Sequence, residues 1–292
     1  LNYRFSPSKM KNFFTKKNWK KIIAFQTRNP LHRAHIEMIK RSSENLDTNI
    51  LVHPVIGQTK PGDVDYFTRV RCYEHALKRL PKGKAILGLL PLAMRMAGPR
   101  EALWHALIRK NFGCTHIIIG RDHAGPGNDK EGNPFYGPYE AQQLIQKFEN
   151  EIGIKMVKFK FMVYVPSKKK YFSIDNVPKN TKYKTLSGTD LRQYLNDGKR
   201  IPEWFTYRKI SDELKKSIKP INKRGLTIFF TGLSGSGKST LANGLAYKFL
   251  EDGSRPVTLL DGDLIRSHLS SELGFSKKHR SINVQRIGYV AS

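Results

Sequence analysis

Cysteine is nearly absent: Cys72 and Cys114 are the only two in 292 residues. With no CxxC pair and no His/Cys ligand spacing, a disulfide scaffold and a zinc ribbon are excluded. The two read as free thiols of a reducing compartment, so a cytoplasmic protein is expected. Long apolar runs are lacking too. No stretch of about eighteen apolar residues occurs, so no membrane-spanning helix is expected and no membrane partner. The segment 1–21 is basic and aromatic without the apolar centre of a signal peptide. Acidic residues are scarce, 24 against 52 Lys and Arg, for a formal charge of +28. Such an excess can mark nucleic-acid binding. Here the lysines are spread beside turn residues (Lys16-Lys17, Lys168-Lys169-Lys170, Lys277-Lys278) and form no single stripe with interleaved aromatics. Sites for polyanionic ligands are expected instead, and nucleic acid is not. The chain starts at Leu1 and its last segment, 284–292, stops in mid-pattern, so a piece of a longer protein lacking both ends is expected.

What is present is an alternation. Short apolar runs at Lys21–Phe25, Asn49–Ile56, Lys84–Leu90 and Thr115–Gly120 are separated by helical spacings at His32–Glu44, Phe67–Leu80 and Gly98–Lys110. That order argues for a parallel sheet covered on both faces, with ligands at the carboxyl ends of its strands. Gln26–Asn29, the loop after Ile56 and Gly120–Gly127 fall there. Gly125–Gly137 is a long Gly/Pro-rich loop of the kind that carries function. Beyond it, Phe159–Val165 reads as a strand, Ser167–Lys184 as a loop and Thr189–Asn196 as a capped helix. The division expected is a Rossmann-like catalytic domain at 1–157, a small subdomain at 158–216, a linker at 217–224 and a second domain at 225–292.

The second domain opens on Gly232-Leu233-Ser234-Gly235-Ser236-Gly237-Lys238-Ser239, which fits the phosphate-loop pattern G-x-x-x-x-G-K-[ST]. Glycines let the backbone wrap phosphates, Lys238 brings charge to them, and Ser239 offers a hydroxyl to Mg²⁺. The context suits it: Leu226–Thr231 reads as a strand before and Thr240–Leu250 as a helix after. Val257–Leu260 reads as a second strand, ending in Asp261-Gly262-Asp263. A carboxylate there can hold metal-bound water or accept a hydroxyl's proton, helix capping by Asp263 being the alternative. Phe275 among Arg266, Arg280, Asn283 and Arg286 suits an anionic, base-bearing ligand.

The first domain carries Gln26-Thr27-Arg28-Asn29-Pro30-Leu31-His32-Arg33-Ala34-His35. Gln26 and Asn29 offer amides and Arg28 a fork of donors for a tetrahedral oxyanion. His32 and His35 share one face of a helix N-terminus, where they could donate to phosphate oxygens as charge develops. A metal pair or two plain surface histidines are the rival readings. Arg121, Asp122, His123 and Ala124 follow a strand, with small residues that let an anion approach the backbone. Pro91–Gly98 follows another and could form a lid or wall.

The segment from about Gly225 to the end closely resembles the adenylylsulfate kinase family through Gly232–Ser239, Leu260–Arg266 and Gly274-Phe275-Ser276 with Arg280, Asn283 and Arg286. Lys277-Lys278-His279 departs from the acidic residues that family often has. The resemblance implies Arg266, Phe275, Arg280 and Asn283 as adenylylsulfate contacts and Asp263 near the accepting 3′-hydroxyl. The family domain is over twice as long, so kinase competence of this piece alone is not expected. Nearly all of Tyr3–Tyr207 resembles the ATP sulfurylase (sulfate adenylyltransferase) family, through Phe25–His35, Thr59-Lys60-Pro61-Gly62-Asp63, Leu90–Met96, Gly120–Gly127, Phe135–Tyr139 and Leu186–Arg192. It implies Gln26, Arg28 and the Ala124 backbone as sulfate contacts, and Thr27, Arg28 and Asn29 as active-site residues. It makes His32 and His35 stabilisers of the transition state. ATP would be held by Gln26–Asn29, Gly120–His123 and, at the end of a Phe159–Met162 strand, the Met162 backbone. Together the resemblances imply two consecutive steps of sulfate activation, with ATP, sulfate and adenylylsulfate as ligands, Mg²⁺ accompanying ATP at both sites, and a homo-oligomer in the full-length form. The alternatives are a sulfurylase whose phosphate-loop domain only senses nucleotide, and a basic nucleic-acid-binding protein with a nucleotide switch.

Overall fold

The computed structural model describes residues 3–57, 63–217, 225–252 and 257–291. Of the expected linker at 217–224, Ser217 ends a helix and 218–224 lie outside the described residues, as does the Thr59–Gly62 part of the quoted motif. The chain divides into two units, Leu1–Asn222 and Lys223–Ser292.

In the first unit the elements run α1 (Pro7–Lys16), β1 (Ile22–Phe25), α2 (Arg33–Leu46), β2 (Asn49–Val52), α3 (Tyr66–Leu77), β3 (Ala85–Leu87), α4 (Pro99–Asn111), β4 (His116–Ile119), α5 (Glu140–Ile152) and β5 (Lys155–Lys158). After them come the hairpin β6 (Met162–Val165) and β7 (Lys170–Ser173), then α6 (Gly188–Asn196) and α7 (Arg208–Ser217). The five-stranded sheet has the order β3-β2-β1-β4-β5, every pairing parallel. Its central strands β1, β2 and β4 are buried on both faces, their side chains alternating between the two, while the edge strands β3 and β5 are only partly covered. Ile23, Phe25, Ile50, Val52 and Ile118 enter one apolar cluster with residues of α2, α3, α6 and α7. Ile22, Ala24, Leu51, Ile117 and Ile119 enter the other with residues of α1, α4 and α5.

The order reverses between β1 and β4, which are neighbours with opposite onward directions. That is the switch point at which open α/β sheets leave a crevice for ligands. The residues after β1 and after β4 are the Gln26–Asn29 and Gly120–Ala124 segments.

Several elements differ from the sequence reading. α1, α5 and α7 are helices not anticipated there, and β7 lies inside the stretch read as the Ser167–Lys184 loop. Of the strand read as Phe159–Val165 only Met162–Val165 is a strand, β6, and β5, which ends before it at Lys158, was not anticipated. Met162 therefore opens the hairpin, opposite Ser173, instead of closing a strand beside β4. The division at 157/158 cuts β5, and Leu191, Leu195, Ile210 and Leu214 share the core of β1 and β2.

The second unit holds α8 (Lys238–Asp252), α9 (Gly262–His268) and α10 (Lys277–Ala291). Leu226–Thr231 and Val257–Leu260, both expected as strands, are not strands here. A strand exists only through a ladder to a neighbour, and among the described residues neither segment has one. Leu226 and Phe229 are left 66% and 71% exposed.

Candidate functional site

The loop after β1 is rigid before any ligand arrives. The Asn29 N–H donates to Thr27 Oγ1 at 3.0 Å, and the Thr27 hydroxyl donates to the Asn29 carbonyl at 3.1 Å. From α3, the Tyr73 hydroxyl donates to the same carbonyl at 3.0 Å. The buried Arg69 guanidinium donates to Arg28 O at 2.8 Å and Val55 O at 3.1 Å. Side chains from the turn itself and from α3 thus hold its backbone. Gln26 and Thr27 are buried, and the Gln26 amide lies 3.7 Å from Met94 Sδ on the Pro91–Gly98 segment.

Arg28 is not the lone guanidinium that the sequence suggests. Its Nη1 is engaged by both carboxylate oxygens of Asp63, a partner 35 residues on. The contact orients the fork without consuming it: among the described residues Nε and Nη2 have no partner. An ion pair that fixes an arginine plane while leaving two parallel donors suits bidentate capture of an oxyanion.

His32 caps α2 and is buried, with Nδ1 3.1 Å from the hydroxyl of Thr206 and its ring 4.3 Å from that of Phe205. His35 Nδ1 accepts the His32 backbone N–H at 3.1 Å. Accepting through Nδ1 means that a neutral His35 carries its proton on Nε2, so each ring has one nitrogen left for a ligand rather than two. Burial holds both rings below the ordinary histidine range, His35 at about 4 and His32 well below it. At neutral pH they are uncharged hydrogen-bonding groups. Among the described residues no group of three His, Cys, Asp or Glu side chains is placed to hold a metal ion.

After β4, Asp122 and Ala124 both take left-handed backbone conformations, φ 48° and 57°. Non-glycine residues there are uncommon and concentrate at functional loops. Ala124 O accepts the Gly98 N–H at 3.0 Å, and the Asp122 N–H donates to Pro138 O at 2.8 Å. The Ala124 N–H has no partner among the described residues. Gly120 and His123 are half-buried, while Arg121 is exposed. Met162 is reached from this loop along the chain: the Phe159 N–H bonds Ile119 O at 3.3 Å, and Met162 follows three residues later.

In the second unit, Gly232, Gly235 and Gly237 have φ of 152°, 78° and 82°, backbone turns that L side chains resist. Lys238 Nζ donates to Leu233 O at 2.7 Å, folding its charge over the loop, and α8 starts at that residue. The Ser239 hydroxyl donates to Asp261 Oδ2 at 3.0 Å. The other Asp261 oxygen accepts the Asp263 N–H at 2.9 Å, so Asp261, not Asp263, caps α9. These bonds keep the Asp261 carboxyl below its ordinary range. Asp263 is exposed.

Arg266 lies over the Phe275 ring at 4.6 Å and donates to Gly274 O at 2.9 Å. Arg280 and Asn283 sit one turn apart on α10; Asn283 is buried with Oδ1 unpaired, and Arg280 is exposed. Of the four, the structure brings Arg266 and Phe275 into direct contact. The partners that sequence reasoning missed are Asp63, Thr206, Arg69 and Tyr73 in the first unit and the Ser239–Asp261 pair in the second. A Walker-type serine followed by a carboxylate after the next apolar run was the available signal for the last.

The family model described as ATP-sulfurylase matches residues 1–217, and that described as adenylylsulphate kinase matches residues 224–292. The chain is 53% identical over 289 residues to a sulfate adenylyltransferase of Mycosarcoma maydis, covering 99% of this chain and 50% of that one. It is 52% identical over 292 residues to the enzyme of the same name from Yarrowia lipolytica, covering 100% and 51%. Among solved structures it is similar to one titled hexameric APS kinase from Thiobacillus denitrificans, with TM-score 0.79 and 37% identity, covering 99% of this chain and 55% of that one. The chain thus spans about half the length of the curated relatives it matches.

Proposed function

The chain belongs to the ATP-sulfurylase family and continues into an adenylylsulphate kinase domain, and from that premise we propose that the whole protein activates sulfate in two steps. In the first, a sulfate oxygen attacks the α-phosphorus of ATP. The bond from that phosphorus to its bridging oxygen breaks, and pyrophosphate leaves adenylylsulfate behind. In the second, the 3′-hydroxyl of adenylylsulfate attacks the γ-phosphorus of a second ATP and loses its proton, the bond from that phosphorus to the β–γ bridging oxygen breaks, and ADP leaves.

The observation that carries the first step is the convergence at the β1/β4 switch point. Arg28, oriented by Asp63, would face an oxyanion with two donors that have no partner among the described residues; Gln26 and the Ala124 N–H, likewise without a partner there, would complete a sulfate cradle. Gln26–Asn29, Gly120–His123 and the Met162 backbone would hold ATP, with Thr27 and Asn29 shaping the turn at its phosphates. His32, buried, and His35, half-buried, both neutral, would offer hydrogen bonds to the oxygens on which charge grows, without the cost of desolvating a cation. No covalent enzyme nucleophile is required; positioning and charge stabilisation suffice.

For the second step, Gly232–Ser239 would wrap the phosphates of ATP and Lys238 would swing from Leu233 O onto them. Ser239 and Asp261 are oxygen donors of the kind Mg²⁺ prefers, Asp261 through bound water. Held there, Mg²⁺ would supply positive charge for phosphoryl transfer. Arg266 and Phe275, with Arg280 and Asn283, would take the adenylylsulfate, and the exposed Asp263 would accept the hydroxyl proton. ATP, sulfate and adenylylsulfate are the ligands of this reading, in a cytoplasmic homo-oligomer.

Arg28→Ala tests it in the full-length protein. Loss of one charge-assisted transition-state contact costs about 3 kcal/mol, roughly a hundredfold in rate. Pyrophosphate exchange into ATP should fall by that order, while adenylylsulfate kinase activity stays. Exchange near the wild-type rate would refute the sulfate-site assignment.

A further inference from the structure

The buried polar side chains of α4 have no role in either proposed step. Glu101, on its first turn, is 2% exposed. Its two carboxylate oxygens accept the backbone N–H groups of Arg95 and Ala97, each at 2.9 Å. Both donors lie in the Pro91–Gly98 segment, the expected wall of the first site. One turn along, His105 is fully buried, with Nε2 3.5 Å from Glu101 Oε1 and Nδ1 3.1 Å from Nε2 of His123. His123 belongs to the Gly120–Gly127 loop. A turn further, the buried Arg109 donates to His105 O at 3.4 Å and to His53 O at 2.9 Å, closing the line from below. The same two loops meet a second time through the Gly98–Ala124 backbone bond.

The line has one polarity. Burial alone would raise the Glu101 carboxyl, but the His105 ring 3.5 Å away and the hydrogen bonds from the Ala97 and Arg95 N–H groups hold it at about 2, so it is an anion and only accepts. Burial, with His105 and Arg109 nearby, holds His123 at about 3, and His105 is lowered by burial as well. Two neutral rings beside an acceptor-only carboxylate order themselves: His105 turns Nε2–H toward Glu101 and accepts through Nδ1, and His123 donates from Nε2. A buried anion is tolerated only when its oxygens are satisfied, which makes this arrangement all or none.

We propose that Glu101 is a positioning residue that, through His105 and His123, locks the Pro91–Gly98 and Gly120–Gly127 loops into one mutual arrangement at the first site. Glu101 itself touches no substrate atom. It sets where the Ala124 N–H and Met94 stand relative to Gln26 and Arg28. The proposal deepens the sulfurylase reading and rests on it.

The test uses full-length protein with Glu101→Gln, His105→Phe and His105→Asn. Glutamine keeps the shape but replaces one acceptor oxygen with a donor, so it cannot receive both N–H groups. Asparagine can place an amide where His105 Nδ1 was and keep the bond to His123. Hydrogen exchange, read on peptides covering 91–98 and 120–127, should accelerate about tenfold in both segments for Glu101→Gln and His105→Phe, although Glu101 contacts only the first. In pyrophosphate exchange kcat should fall about tenfold to a hundredfold while KM for ATP changes less than about threefold. His105→Asn should restore protection of 120–127 alone. Faster exchange confined to 91–98, or kcat within about twofold of wild type in the folded variants, would overturn the proposal. If Glu101→Gln does not fold, the two His105 variants decide by the same criteria. A wild-type protein without pyrophosphate exchange would sink the sulfurylase reading, and the exchange patterns would still judge the network.

Discussion

Arg28, His32 and His35 declare their chemistry by residue type and spacing, whereas nothing near them in the chain declares their partners. Asp63 is 35 residues from Arg28, and Thr206 is 174 from His32. Contacts at such separations follow from the sheet order, which no local pattern reports. The partners change the chemistry: Asp63 aims a guanidinium, and the His32 N–H fixes the His35 tautomer. Burial also sets a pH response. His35 falls from an ordinary 6.5 to about 4 on folding, so between those values the unfolded chain binds the extra proton. The stability it contributes is complete above pH 6.5 and is lost as pH falls toward 4. The midpoint of urea unfolding should therefore drop across that window, and His35→Gln should flatten the drop. An unchanged slope in the variant would show that other rings lowered on folding, His32 and His123 among them, carry the response. At neutral pH the same variant should lower kcat of pyrophosphate exchange more than it raises KM for ATP, because in the proposed reaction the ring would meet charge that develops only in the transition state.

At the scale of elements, the loops and helix starts do the positioning. Gly98 is the N-cap of α4 at φ +55°, and a Cβ there would stand 2.5 Å from the Tyr136 ring. Gly98→Ala therefore meets both backbone strain and a clash. It should destabilise the first unit by about 1–3 kcal/mol, read as a lower unfolding midpoint at constant m-value. A loss below about 0.5 kcal/mol would mean that the 91–98 segment gives way freely. In the second unit, α8 begins at Lys238, so in the proposed kinase step the lysine and the helix N-terminus would act on the same phosphates. Lys238→Ala should abolish phosphorylation of adenylylsulfate in the full-length protein and leave pyrophosphate exchange at its wild-type rate. Loss of both activities would show that the two sites do not work independently. α5 illustrates a different kind of oversight. Ala141, Ile145, Phe148 and Ile152 stand at helical spacing, and the signal was legible beyond the glycine-rich loop that precedes it.

Across the whole molecule, the two units differ in what they bury. The first has apolar clusters on both faces of its sheet. In the second, Leu226, Phe229, Leu241, Tyr247, Phe275 and Tyr289 are each more than half exposed, and Ile265 is the one large apolar side chain buried among the described residues. Burying a large apolar side chain contributes about 1.5–3 kcal/mol, so the 225–291 segment of this 292-residue chain has little to hold it. Limited proteolysis of residues 1–292 should cut within 225–291 first and leave a resistant product ending near α7. The same protein should show no phosphorylation of adenylylsulfate. Resistance equal to that of the first unit, or robust kinase turnover, would contradict this account.

The fold class, the phosphate loop and the oxyanion motif after β1 were all determined locally. A short continuous apolar run, a helical spacing or a glycine-rich turn is a property of adjacent residues, so the alternation of β1, α2 and β2 and the whole of Gly232–Ser239 could be read directly. Pairing decided the rest. Leu226–Thr231 has the composition of a strand and no ladder, because a ladder requires a neighbour that composition cannot supply. Only the β3-β2-β1-β4-β5 order placed Gln26–Asn29 beside Gly120–Ala124, and only packing beneath them joined Glu101, His105 and His123 into one line. Burial then turned ionisable histidines into neutral donors, a change of chemistry that depends on the solvent each side chain loses in the folded chain.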